Sequence, residues 1–132
     1  MSNPIGLNGI KFVEFSSSSP ERMREIFYDF GFSKIMKHKS SNIELYQQNQ
    51  IYLILNMESN SFAGEFQKSH GPCVSSMGWA TSSSTAQKDA IARGAKNPGR
   101  SDYFYKSGKP VPTISGIGDS LIYFVPDTSE SF

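Results

Sequence analysis

A chain of 132 residues is long enough for one compact domain with its own core, and 13 basic against 12 acidic residues leave a net charge of +1. That near-balance excludes the basic footprint of a nucleic-acid binder, and a single cysteine excludes both an internal disulfide and a cysteine zinc cluster. No basic-then-apolar leader opens the sequence and no apolar run approaches ~18 residues, so the expectation is a cytoplasmic protein with no membrane and no nucleic-acid partner.

Residues 1–7, carrying Pro4 and Gly6, read as a loosely ordered lead-in. Residues 9–15 alternate as a strand, with Ile10, Phe12 and Glu14 on one face and Lys11, Val13 and Phe15 on the other, so both faces are expected to be covered. The serines at 16–19 then open a helix. Ser18 or Ser19 is the expected cap, Pro20 suits the first turn, and Glu21 stands three after Ser18 in capping-box spacing. Met23, Ile26, Phe27 and Phe30 follow at i, i+3, i+4 and i+7, and Gly31 ends the helix. Strands are expected over 32–37, 43–47 and 51–55, the last two joined by a tight turn at Gln48, Asn49 and Gln50. In the middle strand Ile43, Leu45 and Gln47 share a face. Residues 61–69 read as a short helix with Phe62 and Phe66 at i, i+4, broken by His70-Gly71-Pro72.

The pattern then restarts. A strand over 74–80 runs into hydroxyl residues at 81–85, and Ser84 with Gln87 repeats the capping-box spacing. Ala86, Ala90 and Ile91 give an apolar face, and Gly94 a stop. Asn97-Pro98-Gly99 is a turn, Tyr103-Phe104-Tyr105 a short aromatic strand, and Ser107-Gly108-Lys109-Pro110 another turn. The last strands fall at 111–117 and 121–125 around a Gly118-Asp119 hairpin, before a polar tail at 127–132. The chain is therefore expected to be a single domain over 1–132 in the α+β class. Two β-α-β-β-β modules, about 8–56 and 73–126 with a linker at 57–72, form a curved mixed sheet.

Such a paired fold can hold a metal in its cup, on inward side chains of the first and last strand of each module. Strand one offers Glu14. The other positions offer Asn56, then Ser76, Met77 and Trp79, then Tyr123. One carboxylate falls short of the three protein ligands a metal site normally takes, so Glu14 is expected to be salt-bridged or hydrogen-bonded. His38 lies among Lys37, Lys39 and serines, and His70 in a Gly-Pro turn. Neither has an acidic or His partner at ligand spacing. Cys73, between Pro72 and Val74, is expected to pack as a small apolar residue. Gly116-Ile117-Gly118 runs into a strand and not a helix, which makes it a turn and not a phosphate loop. The serines at 16–19 lack a G-x-S-x-G elbow, and a helix cap explains them. The residues thus offer no catalytic group, no cofactor-binding group and no metal ligand. An alternative is a stand-alone module that binds a small aromatic compound against Trp79, Tyr103, Phe104, Tyr105, Tyr123 and Phe124, although core packing accounts for the same residues. A metal-dependent isomerase of glyoxalase type fails on the missing ligands.

Asn3-Pro4-Ile5-Gly6-Leu7-Asn8-Gly9-Ile10, Phe12-Val13-Glu14-Phe15 and Gly31-Phe32 open an ordered series. Leu53-Ile54-Leu55-Asn56, Ser69-His70-Gly71-Pro72 and Ile114-Ser115-Gly116-Ile117-Gly118 complete it. Together they closely resemble the N-terminal domain of bacterial 4-hydroxyphenylpyruvate dioxygenases, in the vicinal oxygen chelate (glyoxalase-like) superfamily of paired β-α-β-β-β modules. The resemblance spans 4–126 and is weakest over 95–109. It implies a parent enzyme that converts 4-hydroxyphenylpyruvate and O2 to homogentisate and CO2 in tyrosine and phenylalanine catabolism, using Fe(II). In that family two His and one Glu of the C-terminal domain hold the iron, and no residue here matches them. The resemblance therefore implies a non-catalytic piece, without cofactor and inactive alone. Its implied partners are the C-terminal catalytic domain, absent from this chain, and further subunits of a homo-oligomer. It also implies that some bacterial members carry haemolysin or pigment labels, because homogentisate oxidises to a brown melanin.

Overall fold

In the computed structural model, residues 2–127 are described; of the expected polar tail, 128–132 lie outside them. The order is β1 (Leu7–Ser16), α1 (Pro20–Asp29), β2 (Ser33–Lys37), β3 (Ile43–Gln48), β4 (Ile51–Asn56), α2 (Phe62–His70), β5 (Cys73–Thr81), α3 (Ala86–Ala92), β6 (Thr113–Ser115) and β7 (Leu121–Pro126). Two compact units divide it: Phe12–Ser75, and Met1–Lys11 with Ser76–Phe132.

In the unit Phe12–Ser75 the strands lie in the order β2-β3-β4-β1. β1 and β4 run parallel, with Val13 opposite Leu53 and Ser16 opposite Asn56; β4 with β3, and β3 with β2, are antiparallel. A parallel pair needs a long crossover, and α1, β2 and β3 supply it. Alternation then gives each strand a helix-facing side. Phe27 of α1 packs with Tyr46, Leu53 and Leu55, and Val13, Phe15, Met23, Phe32 and Met57 close around them. The Phe27 ring meets Phe15 and Tyr46 edge to face, at centroid distances of 5.1 and 5.0 Å. Burying such a ring contributes roughly 2–3 kcal/mol.

Two sequence expectations fail here for local reasons. The capping box does not form: Ser19 is the N-cap without a side-chain bond, and Ser17 Oγ accepts the Ser19 N–H at 3.0 Å. Pro20 in the first turn carries the start instead, since its φ is preset. Phe30 does not join the apolar stripe but is 72% exposed, because the helix ends at Asp29 and the chain turns at Gly31 (φ 88°). The register of β2 against β3 shifts between Lys34 and Met36, and all of this edge strand is exposed, Ile35 and Met36 included. Elsewhere the pattern holds. The two-residue turn Asn49-Gln50 joins β3 to β4, with Asn49 at φ 51°. Ser61 Oγ caps α2 by accepting the Gly64 N–H at 3.0 Å. Gly64 sits so close to the Glu58 and Ser59 carbonyls that a Cβ would collide with backbone.

The other unit repeats the parallel pair, with β5 beside β7 (Ser76 opposite Leu121) and β6 antiparallel to β7. Its core is lighter: Ala86, Ala90 and Phe124, packed by Ile5, Trp79, Ala95, Ile114 and Ile122. The lead-in is tied down rather than loose. The Asn3 side chain brackets Leu7 with bonds of 2.9 and 3.0 Å, and the Ser82 N–H donates to Gly6 O at 2.9 Å. Thr85, not Ser84, is the N-cap of α3, and Gln87 donates to Thr113 O at 2.7 Å instead of closing a box. Residues 103–105 form no strand, only a Phe104–Pro110 bridge, and the expected strand 111–117 shrinks to Thr113–Ser115. Pro110 and Pro112 have no N–H to offer a ladder.

Candidate functional site

Glu14 lies in the middle of β1, opposite Ile54 of β4. Asn56, two residues after Ile54, points to the same side, away from α1. The Glu14 carboxylate is fully buried and accepts from Asn56 Nδ2 at 3.0 Å and Ser75 Oγ at 3.3 Å. Asn56 is also fully buried, and its Oδ1 accepts the Glu58 N–H at 2.9 Å. Two positions singled out in the sequence, Glu14 and Asn56, are thus brought together. The third partner is Ser75 and not its neighbour Ser76. Cys73, one strand period before Ser75, is half-buried, and its thiol is pushed up by burial and then by the Glu14 charge. A thiol held protonated is a poor nucleophile and a poor metal ligand.

On the helix-facing side sits a second buried carboxylate, which the sequence reading passed over. Arg24 of α1 grips Glu44 of β3 with two bonds, Nε to Oε2 at 2.9 Å and Nη2 to Oε1 at 3.1 Å. The Tyr46 hydroxyl donates to Glu44 Oε2 at 2.7 Å, and Lys34 Nζ stands 3.7 Å from Oε1. Burial alone raises the Glu44 carboxyl. The bonds from Arg24 and Tyr46, with the charges of Arg24 and Lys34, outweigh it and hold the group below its ordinary range. The Tyr46 hydroxyl is pushed well above its own range by burial and by its bond to Glu44. The available signal was alternation: once Ile43 and Leu45 take one face, Glu44 and Tyr46 must take the other.

The remaining candidates stand apart. His38 is exposed in the β2–β3 turn, with Nδ1 accepting the Ser40 and Ser41 N–H groups at 3.2 and 3.1 Å. His70 ends α2, with Nδ1 2.9 Å from Phe66 O and its ring stacked on Phe66 at 4.0 Å. Ser16, Ser17 and Ser18 line an open recess of about 290 Å³ with Asn42, Met57, Glu58 and Lys68. Gly116-Ile117-Gly118 enters a single 3-10 turn ahead of β7, with Ile117 97% exposed. Of the aromatic group, Tyr123 and Phe124 are buried, and Trp79 packs on the Phe124 cluster. Tyr103 meets Tyr123 edge to face at 5.4 Å, while Phe104 is exposed. Among the described residues no group of three or more His, Cys, Asp or Glu could hold a metal ion. No helix among them is long and apolar enough to cross a membrane.

A crossover helix on a parallel strand pair, repeated along the chain, defines a glyoxalase-like α+β module. A solved xylose isomerase-like TIM barrel/4-hydroxyphenylpyruvate dioxygenase fusion protein superposes on it with a TM-score of 0.80 at 25% identity, over 96% of this chain and 21% of that one. The family model for the N-terminal region of hydroxyphenylpyruvate dioxygenase matches residues 1–131, and the chain belongs to that family. Protein MelA of Shewanella colwelliana is 48% identical over 124 residues, covering 93% of this chain and 35% of the relative. A 4-hydroxyphenylpyruvate dioxygenase of Pseudomonas aeruginosa is 36% identical over 127 residues, with the same coverage of 93% and 35%. The chain therefore spans about a third of the length of these curated relatives.

Proposed function

We propose that this chain serves as the non-catalytic N-terminal module of a bacterial 4-hydroxyphenylpyruvate dioxygenase. The parent enzyme converts 4-hydroxyphenylpyruvate and O2 to homogentisate and CO2 in the cytoplasm, in tyrosine and phenylalanine catabolism, with Fe(II) held in its catalytic domain. The module supports that domain and contributes to subunit contacts of a homo-oligomer, with no part in nucleic-acid or membrane binding. The match of residues 1–131 to the N-terminal family carries the reading.

The Glu14 cluster supports it. An Fe(II) oxygenase centre takes two imidazoles and a carboxylate on one face, with open positions for substrate and O2. Around Glu14 stand an amide, a hydroxyl and a thiol held protonated, and both histidines are engaged on other elements. These residues do not fit iron, and no reaction step is assigned to them.

The test is oxygen uptake and homogentisate formation by the purified chain given Fe(II), 4-hydroxyphenylpyruvate and O2. Neither is expected. Stoichiometric retained iron with turnover overturns the reading. Calorimetry against aromatic keto acids is expected to be flat, and saturable binding would favour the small-aromatic binding module instead.

A further inference from the structure

Two backbone amides converge on one imidazole nitrogen at the β2–β3 turn. The Ser40 and Ser41 N–H groups both donate to His38 Nδ1, and the His38 N–H donates to Ile43 O at 2.9 Å, closing the turn. Nδ1 accepts only while its lone pair is free, so the ring is held as the neutral Nε2–H tautomer. An imidazolium carries a proton on both nitrogens and would set one N–H against two others. His70 is wired the opposite way. Its Nδ1 faces the Phe66 carbonyl at the C-terminal end of α2, where it donates, and that bond survives protonation.

The far side of the turn is held by the segment after β4. The Asn42 N–H donates to the Glu58 carboxylate, and the Met57 N–H donates to Asn42 O at 2.9 Å. Asn42, Met57 and Glu58 form one wall of the recess lined by Ser16–Ser18. The charged groups around the turn are Lys37 and Lys39 beside the ring in sequence, Glu44 opposite Lys37 in the ladder, and Glu58 and Lys68 on the recess.

We propose that His38 is a proton-operated latch of the β2–β3 turn: a second proton on its ring releases the Ser40 and Ser41 amides beside the Asn42 wall of the recess. The latch needs only the fold of residues 12–75 and stands apart from the dioxygenase reading.

NMR on the intact chain between pH 8 and pH 5 tests it. The Ser40 and Ser41 amide shifts are expected to follow the His38 ring midpoint. Their exchange protection, corrected for the intrinsic pH dependence of exchange, should fall at least about tenfold across it. His38→Asn keeps an acceptor oxygen within reach of both amides without titrating, and is expected to flatten the response. His38→Phe removes the acceptor and should leave both amides unprotected at every pH. Ser40 and Ser41 amides that ignore the His38 midpoint, or that respond equally in His38→Asn, overturn the proposal. The His70 titration serves as the internal control and should leave the Ser40 and Ser41 amides unmoved.

Discussion

Glu14 and Glu44 are both buried carboxylates on the same four strands, on opposite faces, and they are satisfied by different means. Glu44 is answered by charge: a guanidinium in two-bond contact, an ammonium nearby and a tyrosine hydroxyl. Glu14 accepts bonds from an amide and a hydroxyl. The contrast separates two jobs. The Arg24–Glu44 pair ties α1 to the strands, where a wrong partner leaves a charge stranded. The Glu14 cluster ties together positions far apart in sequence on the face turned away from α1, and the Glu14 charge reaches the Cys73 thiol.

The comparison makes ordered predictions. Arg24→Met should cost most, about 2–3 kcal/mol in urea unfolding. Removing one partner of a buried pair costs about 3–5 kcal/mol, discounted here because Arg24 is 27% exposed and Lys34 remains. Asn56→Ala should follow at about 1–3 kcal/mol, since it strips a donor from a buried carboxylate and an acceptor from the Glu58 N–H. An Asn56→Ala loss larger than the Arg24→Met loss would break the ranking of charge over neutral donors.

Stability against pH should sharpen the same contrast. The folded Glu44 carboxyl lies below its ordinary value of 4.5, so its contribution is fully present above that value and is lost as pH falls through the folded one. Urea midpoints should therefore decline below about pH 4.5, less steeply in Arg24→Met. The Tyr46 hydroxyl has the opposite sign. Its folded value is raised above 10.0, so its contribution is present below that and declines as pH rises beyond it. Ser75→Ala should have the smallest effect, about 0.5–1.5 kcal/mol, because a 3.3 Å hydroxyl bond is replaceable while Asn56 remains.

The elements themselves were legible where a local rule sufficed. Gly31 and Gly94 mark helix ends at φ 88° and 106°, and the β3–β4 hairpin falls at Asn49 as its residues suggest. Legibility failed where two local signals competed. The serines before α1 and α3 fit a capping box, yet Ser17 and Ser83 accept amides of their own turns, and Gln87 turns to Thr113 O. Tyr103-Phe104-Tyr105 alternates like a strand, but its pairing stops at one Phe104–Pro110 bridge, flanked by the Tyr105 N–H on Lys109 O and the Val111 N–H on Tyr103 O. Phe30 had the right spacing for the core and missed it because the helix stopped one residue earlier.

The repeat of strand, helix and strands, the α+β class and the family were legible in the residues alone. These rest on periodicity, turn chemistry and an ordered series of short segments, all read within a few residues. Which groups meet was settled by the folded chain. Arg24 reaches Glu44 across 20 residues, and Glu14 reaches Asn56 across 42 and Ser75 across 61. The physical reason is that a buried carboxylate must find donors wherever the pairing of strands delivers them. Register sets that delivery, and register is a property of strands far apart in the chain.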